Sequence, residues 1–255
     1  MAIIALKAWY LRQYEPLPEL ERRPHDLRLS KQSLLKSGLR ADFLDDSAQV
    51  RTSEWFQSYL QGDLVEFYIE GSGGYVISNI DLISHEIYFT KREVLAHLDP
   101  TLFFCYQTQY PEASETIRSE LQDILASINQ RSRLALKLEE SHRLTDGPTR
   151  LESTVTRKLR RSLLFIADVT PISQLNGEPP LLLPSPQVTV EVGYALECKR
   201  PEQILLLQLN RKDLPGQFPF DLPIQQRLNF ANPKELHKFL PAAIETQLSR
   251  FNLLT

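Results

Sequence analysis

The stretch that decides the fold is Leu163-Leu164-Phe165-Ile166-Ala167-Asp168-Val169-Thr170, an apolar run that stops at a carboxylate. Both faces of this run are apolar, which is typical of a buried parallel strand. After a Pro-rich loop, Gln187-Val188-Thr189-Val190-Glu191-Val192-Gly193-Tyr194-Ala195-Leu196 predicts the start of a helix. Ligands of open α/β sheets bind beyond the carboxyl ends of the strands, so Asp168 and Glu191 are the first candidates for chemistry.

The chain from residue 98 to residue 255 alternates strand-like and helix-like segments. Strands are predicted at 102–106, 134–138, 163–168, 204–207 and 227–230. Helices are predicted at 112–128, from Pro148 onward, around Glu191, and at 233–251, where apolar residues recur at helical spacing. This order predicts an α/β domain with a flavodoxin-like parallel sheet and helices on both faces.

Residues 1–97 have a different pattern of strand-like and helix-like segments, which predicts a small α+β domain. Strand-like runs occupy 3–11, 64–69, 75–80 and 83–89, and short helices are predicted near 30–37 and 53–60. The glycines between 71 and 74 predict a hairpin loop, and the prolines between 14 and 24 predict a loop. The large aromatic side chains are expected in the core rather than on a partner surface, namely Trp9, Tyr10, Trp55 and Phe56.

The amino-acid composition limits which classes of protein the chain is expected to belong to. The chain has 255 residues, of which 42% are hydrophobic and 24% charged, an ordinary globular balance. A net charge of −3 gives no reason to expect a nucleic-acid partner. No secretory signal and no membrane-length apolar run is recognisable, so we expect a cytoplasmic protein without a membrane partner. Cys105 and Cys198 are expected to be buried thiols, and the five histidines show no metal-ligand spacing.

Several of the candidate residues have alternative interpretations. Gly193 costs about 1 kcal/mol against Ala inside a helix, so a ligand or a neighbouring strand is expected to approach it closely. Glu191 could instead be an acid of the first helical turn, and Asp168 a turn or cap residue. Gln107 and Thr108 follow the first strand at the same sheet edge, where they could bind a ribose or base or form a solvated loop. The basic run 157–161 favours a solvated helix face over a phosphate site.

Residues 98–255 resemble a bacterial TIR-like domain, within the group that includes nucleoside deoxyribosyltransferase-like folds. The segments that carry the resemblance are 103–107, 165–170, 186–195, and Pro219-Phe220-Asp221 followed by Arg227. The family pattern around the acid is roughly Asn-Val-x-x-Glu-Leu-Gly-Tyr-Ala, and here Gln187 and Val192 replace the Asn and the Leu. Residues 1–97 show no comparable resemblance.

The resemblance implies an enzyme that cleaves the bond between nicotinamide and ribose in NAD, with NAD as substrate and no separate cofactor or metal. Glu191 matches the family's catalytic glutamate, which stabilises or bonds to the positive charge that develops on the ribose. The remaining residues that we expect to hold the substrate are Tyr106, Gln107, Thr108, Asp168, Thr170, Tyr194 and Arg227.

The resemblance also implies a homo-oligomer that is activated by self-association and acts in bacterial antiviral defence, with residues 1–97 as a sensor or oligomerisation module. Two other functions remain open from the sequence. One is a nucleoside or nucleotide N-glycosidase or deoxyribosyltransferase that uses the same glutamate. The other is a non-catalytic TIR-like binding or scaffold protein.

Overall fold

The computed structural model describes residues 5–35, 38–92, 97–143, 153–218, 223 and 226–254. The chain divides into two compact units, Met1–Leu98 and Asp99–Thr255. This division lies one residue beyond the boundary expected from the sequence. Each unit has its own buried apolar core, and we describe each by itself.

The first unit is built around a closed barrel of six antiparallel strands. The strands are β1 (Ala5–Tyr10), β2 (Leu27–Leu35), β3 (Gly38–Phe43), β4 (Glu66–Ile69), β5 (Gly73–Asp81) and β6 (Glu86–Lys91). They are hydrogen-bonded in the order β1-β2-β3-β6-β5-β4, and β1 pairs with β4 to close the barrel. The helices are α1 (Leu17–Leu20), α2 (Ser47–Thr52) and α3 (Glu54–Leu60). The unit is therefore richer in strands than the expected α+β domain.

The barrel explains where the sequence predictions for this unit were right and wrong. The helix expected near 30–37 is wrong, because Leu27–Leu35 pairs with strands on both sides. The stretch expected to be loop contains the single turn of α1. The helix expected at 53–60 is confirmed, and the Ser53 hydroxyl caps it by accepting the Phe56 N–H. Three of the four large aromatic residues are buried as expected, and Tyr10 is half-buried.

The second unit is an α/β domain around a five-stranded parallel sheet. Its strands are β7 (Asp99–Cys105), β8 (Lys137–Glu140), β9 (Ser162–Asp168), β12 (Ile204–Leu209) and β13 (Arg227–Phe230). They lie in the order β8-β7-β9-β12-β13. Counted from the first strand of the unit this order is 2-1-3-4-5, the order of flavodoxin-like sheets. The parallel pairing and the flavodoxin-like order agree with the expectation from the sequence.

Helices cover both faces of this sheet. They are α4 (Pro111–Asn129), α5 (Ser153–Arg161), α6 (Pro186–Cys198) and α7 (Pro233–Ser249). Side chains alternate between the faces of a strand, and in β9 Phe165 and Ala167 pack in the core that contains α5 and α6. Asp168, the residue after Ala167, lies on the opposite face, where its carboxylate accepts a hydrogen bond from Ser114 of α4. Every residue of β9 is buried, which explains its apolar sequence on both faces.

The element boundaries in this unit mostly follow the sequence. Strands β9 and β13 match the predicted positions, whereas β8 begins three residues later than predicted. The Pro-rich loop contains an unpredicted hairpin of β10 (Ser173–Leu175) and β11 (Leu181–Leu183). Pro148, where a helix was expected to begin, lies outside the described residues. None of the helices that the structure describes is both long and apolar enough to span a membrane.

Candidate functional site

Glu191 is a buried residue in the interior of α6. The helix begins at Pro186, so Glu191 is its sixth residue and lies in the second turn. The interpretation as an acid of the first turn, favoured there by the helix dipole, is therefore wrong. Glu191 is only 4% exposed, and Val188, Val192 and Ala195 of the same helix are buried in the core.

The Glu191 carboxylate forms a buried ion pair with Arg143, which lies three residues after the end of β8. Arg143 Nη1 donates to Glu191 Oε1, and Nη2 lies 3.4 Å from Oε2. The two side chains are 6% and 5% exposed. Arg143 Nε also donates to the Tyr106 carbonyl at 2.9 Å, and Nη2 donates to the Cys105 Sγ at 3.4 Å. The pair thus ties α6 to the end of β7.

The pKa values of Arg143 and Cys105 are both raised in this cluster. Burial lowers the pKa of the Arg143 guanidinium, but the hydrogen bonds and the negative charge of Glu191 outweigh it, so the pKa is raised. Burial also raises the pKa of the Cys105 thiol well above its ordinary value, and the neighbouring Glu191 charge adds to the shift. Cys105 is therefore a neutral thiol at physiological pH and not a reactive thiolate.

The Arg143–Glu191 pair lies near the point where the strand order of the sheet reverses. In the order β8-β7-β9-β12-β13 the direction of chain progression reverses between β7 and β9. Ligands of open α/β sheets bind outside the carboxyl ends of the strands at such a reversal. Cys105 is the last residue of β7, and Arg143 contacts both it and Tyr106. The charged pair therefore stands where a ligand site is expected from topology.

Asp168 belongs to a different buried cluster, on the other face of the sheet. Its Oδ2 accepts a hydrogen bond from Ser114 Oγ at 2.6 Å, and its Oδ1 accepts the Thr170 N–H at 3.0 Å. Gln107 donates its backbone N–H to Ser114 Oγ and its side-chain amide to the Thr170 carbonyl. The Thr170 hydroxyl accepts the Leu209 N–H at 3.0 Å. The network joins β7, α4, β9 and β12 where these strands end.

Burial has the largest effect on the pKa of the Asp168 carboxyl. Burial raises its pKa, although the hydrogen bonds from Ser114, Thr170 and Gln107 oppose the shift. All four side chains of the network are at most 1% exposed. The structure does not bring Asp168 and Gln107 next to Glu191, because Asp168 faces α4 whereas α6 packs on the opposite face of β9. These hydrogen bonds hold the ends of β7, β9 and β12 together and indicate a structural role.

The remaining candidates are spread over the domain. Two guanidinium groups contact the Tyr106 ring, with Arg118 at 4.9 Å and Arg143 at 5.1 Å from its centroid. Thr108 is exposed, and Tyr194 is half-buried against the core that contains α6. Arg227 opens β13, three strands away from β7, and lies 4.7 Å from the Phe218 ring centroid.

Gly193 differs from its expected environment. It is exposed, and no described atom outside its own helix and its chain neighbours lies within 4 Å of where a Cβ would be. The expected approach of a neighbouring strand is therefore wrong. No part of the chain that the structure describes fills the space beside Gly193, and an approach by a ligand stays a prediction.

Sequence reasoning did not identify Arg143 and Ser114. Arg143 follows a short strand in a polar stretch, and Ser114 lies in the first turn of α4, so neither position carries a periodic or motif signal. Cys105 is buried as expected, whereas Cys198 is partly exposed. Within the described ranges, no group of three or more His, Cys, Asp or Glu side chains could hold a metal ion.

Comparison with known proteins adds no functional assignment. Neither the models of known protein families nor the curated proteins contain a match to this chain. The function is therefore inferred from the site itself and from the resemblance of the sequence.

Proposed function

We propose that this protein is an NAD-cleaving hydrolase of TIR-like type in which Glu191 is the catalytic carboxylate. The observation that carries the proposal is a buried carboxylate at the reversal point of the sheet, neutralised by the guanidinium of Arg143. A buried charge is stable only when it is paired, so this position demands a cation beside Glu191.

NAD can supply that cation. Its nicotinamide ring carries a positive charge on the ring nitrogen, so it can pair with the Glu191 carboxylate, and the negative diphosphate of NAD can pair with the Arg143 guanidinium that it displaces. A neutral nucleoside cannot make this exchange. The electrostatics of the pair thus favour a substrate with a cationic leaving group over a deoxynucleoside.

The chemistry needs little beyond one fixed carboxylate. When the bond between ribose and nicotinamide breaks, its electron pair passes to the ring nitrogen, so nicotinamide leaves neutral and needs no general acid. Positive charge develops on the ribose, and the carboxylate stabilises it electrostatically or bonds to the anomeric carbon. Water then adds to that carbon with loss of a proton, which gives ADP-ribose.

The test is release of nicotinamide from NAD by the purified full chain, with and without a crowding agent that promotes self-association. Glu191→Gln should abolish release, because the amide keeps the shape but loses the charge. Glu197→Gln is the matched control, since Glu197 is an exposed acid on the same helix. Equal rates for wild type and Glu191→Gln would refute the site. Release of free base from deoxynucleosides but not from NAD would replace the function by deoxyribosyl transfer or nucleoside cleavage.

A second candidate is a non-catalytic TIR-like binding or scaffold module. The observation that favours it is the same ion pair, because a guanidinium held by Glu191, Tyr106 and Cys105 also serves as a clamp between α6 and β7. Binding of NAD derivatives without turnover at every concentration and assembly state would support this candidate. Activation by self-association, with the barrel as sensor, and a role in antiviral defence belong to the proposal through the resemblance alone.

A further inference from the structure

A polar cavity lies beside β12 and the edge strand β13. Its volume is about 500 Å³, within the range of small-molecule sites. Pro179, Leu182 of β11 and residues 216–218 complete its walls. Two to three strand spacings separate β12 and β13 from β7, which is about 10 to 14 Å. Glu191 is not among the residues that line this cavity.

The cavity carries a positive charge. Arg227 lines it and stacks over the Phe218 ring at 4.7 Å from the centroid. Among the residues that the structure describes, no carboxylate forms an ion pair with Arg227. A planar guanidinium held in place by an aromatic ring keeps its donors in a fixed fork, the geometry that binds phosphate with two parallel hydrogen bonds.

One residue of the cavity wall also has an unpartnered buried acceptor. Gln208 lines the cavity and is only 6% exposed, and its Oε1 has no hydrogen-bond partner within the described part of the chain. Leaving a buried acceptor unpaired costs free energy, so a ligand that donates a hydrogen bond to Gln208 would be stabilised. The carboxamide of Asn229, two residues after Arg227 on the neighbouring strand, lines the same space.

We propose that this cavity binds a phosphorylated nucleoside. Arg227 binds the phosphate, the Oε1 of Gln208 accepts a hydrogen bond from an amino group of the base, and Asn229 supplies further donor and acceptor atoms. The site is independent of Glu191 and of NAD cleavage. Arg227, which the sequence assigned to the NAD site, lines this cavity.

Calorimetric titration of the full chain with AMP, adenosine and inorganic phosphate tests the proposal. AMP should bind more tightly than either fragment. Arg227→Gln should weaken AMP binding roughly tenfold or more and leave adenosine binding unchanged, because it removes the charged donors. Gln208→Leu should weaken both AMP and adenosine. Arg250→Gln is the control, since Arg250 is an exposed arginine paired with Glu202.

Retained secondary structure by circular dichroism shows that each variant is folded. Glu191→Gln should bind AMP as the wild type does, so failure of NAD cleavage and failure of this site are distinguishable. Absence of AMP binding in the wild type, or equal affinity in Arg227→Gln, would overturn the proposal. Inorganic phosphate that binds as tightly as AMP would overturn the assignment of a nucleoside.

Discussion

Replacing Arg143 by Met tests the central ion pair by its energetics. The substitution keeps much of the side-chain volume but leaves the Glu191 carboxylate buried at 5% exposure without its cation. Breaking a buried pair in this way costs about 3 to 5 kcal/mol of unfolding free energy. Glu191→Leu should cost nearer the lower end, because Arg143 keeps the Tyr106 carbonyl as an acceptor. The double variant should cost less than the sum by at least about 2 kcal/mol.

The two units permit an internal control in this experiment. Both tryptophans, Trp9 and Trp55, lie in the first unit, so their fluorescence follows unfolding of the barrel. Hydrogen exchange of backbone amides in β7 and β9 follows the second unit. Only the second readout should change in the variants. Arg131→Met provides a matched surface control, because its pair with Glu245 is about 40% exposed and such pairs contribute at most about 1 kcal/mol.

The outcome that contradicts the reasoning is additivity. If the double variant loses as much stability as the two single variants together, the guanidinium and the carboxylate do not stabilise each other. The buried pair would then not determine the charge beside α6, and a cationic substrate would no longer be favoured.

Three further predictions concern the second unit. Gly193→Ala should raise the unfolding free energy by about 0.5 to 1 kcal/mol in thermal denaturation, because the site is helical and open; a loss would show that the space is needed for packing. Gly216→Ala should lower the melting temperature, because its Cβ would lie 2.6 Å from the Pro180 carbonyl oxygen; an unchanged melting temperature would contradict this close contact. Asp168→Asn should change the pH dependence. Burial raises the folded-state pKa of Asp168, so its contribution to stability is present below about pH 4 and is lost as pH rises through that folded-state pKa. Denaturation curves from pH 7 down to pH 4 should show a gain for the wild type that the variant lacks, and parallel curves would refute the assignment.

Local patterns predicted most of the second unit. Helix α4 was predicted from apolar residues at helical spacing, and strand β9 from an apolar run that is buried on both faces. The barrel was harder, because Leu27–Leu35 mixes polar and apolar residues and becomes a strand through pairing with β1 and β3. Pairing partners of this kind are distant in sequence, so no local signal reveals them.

The sequence by itself determined the order of strands and helices in the second unit and singled out Glu191 as an acid among apolar neighbours. Only the tertiary structure decided what surrounds that acid. Arg143 is 48 residues away in the chain and reaches Glu191 because β8 lies beside β7. Asp168 is nearer in sequence yet lies on the opposite face, because α6 covers the face of β9 that carries Phe165 and Ala167. A one-dimensional pattern fixes which side chains share a face, but the packing of helices on the sheet fixes which faces meet.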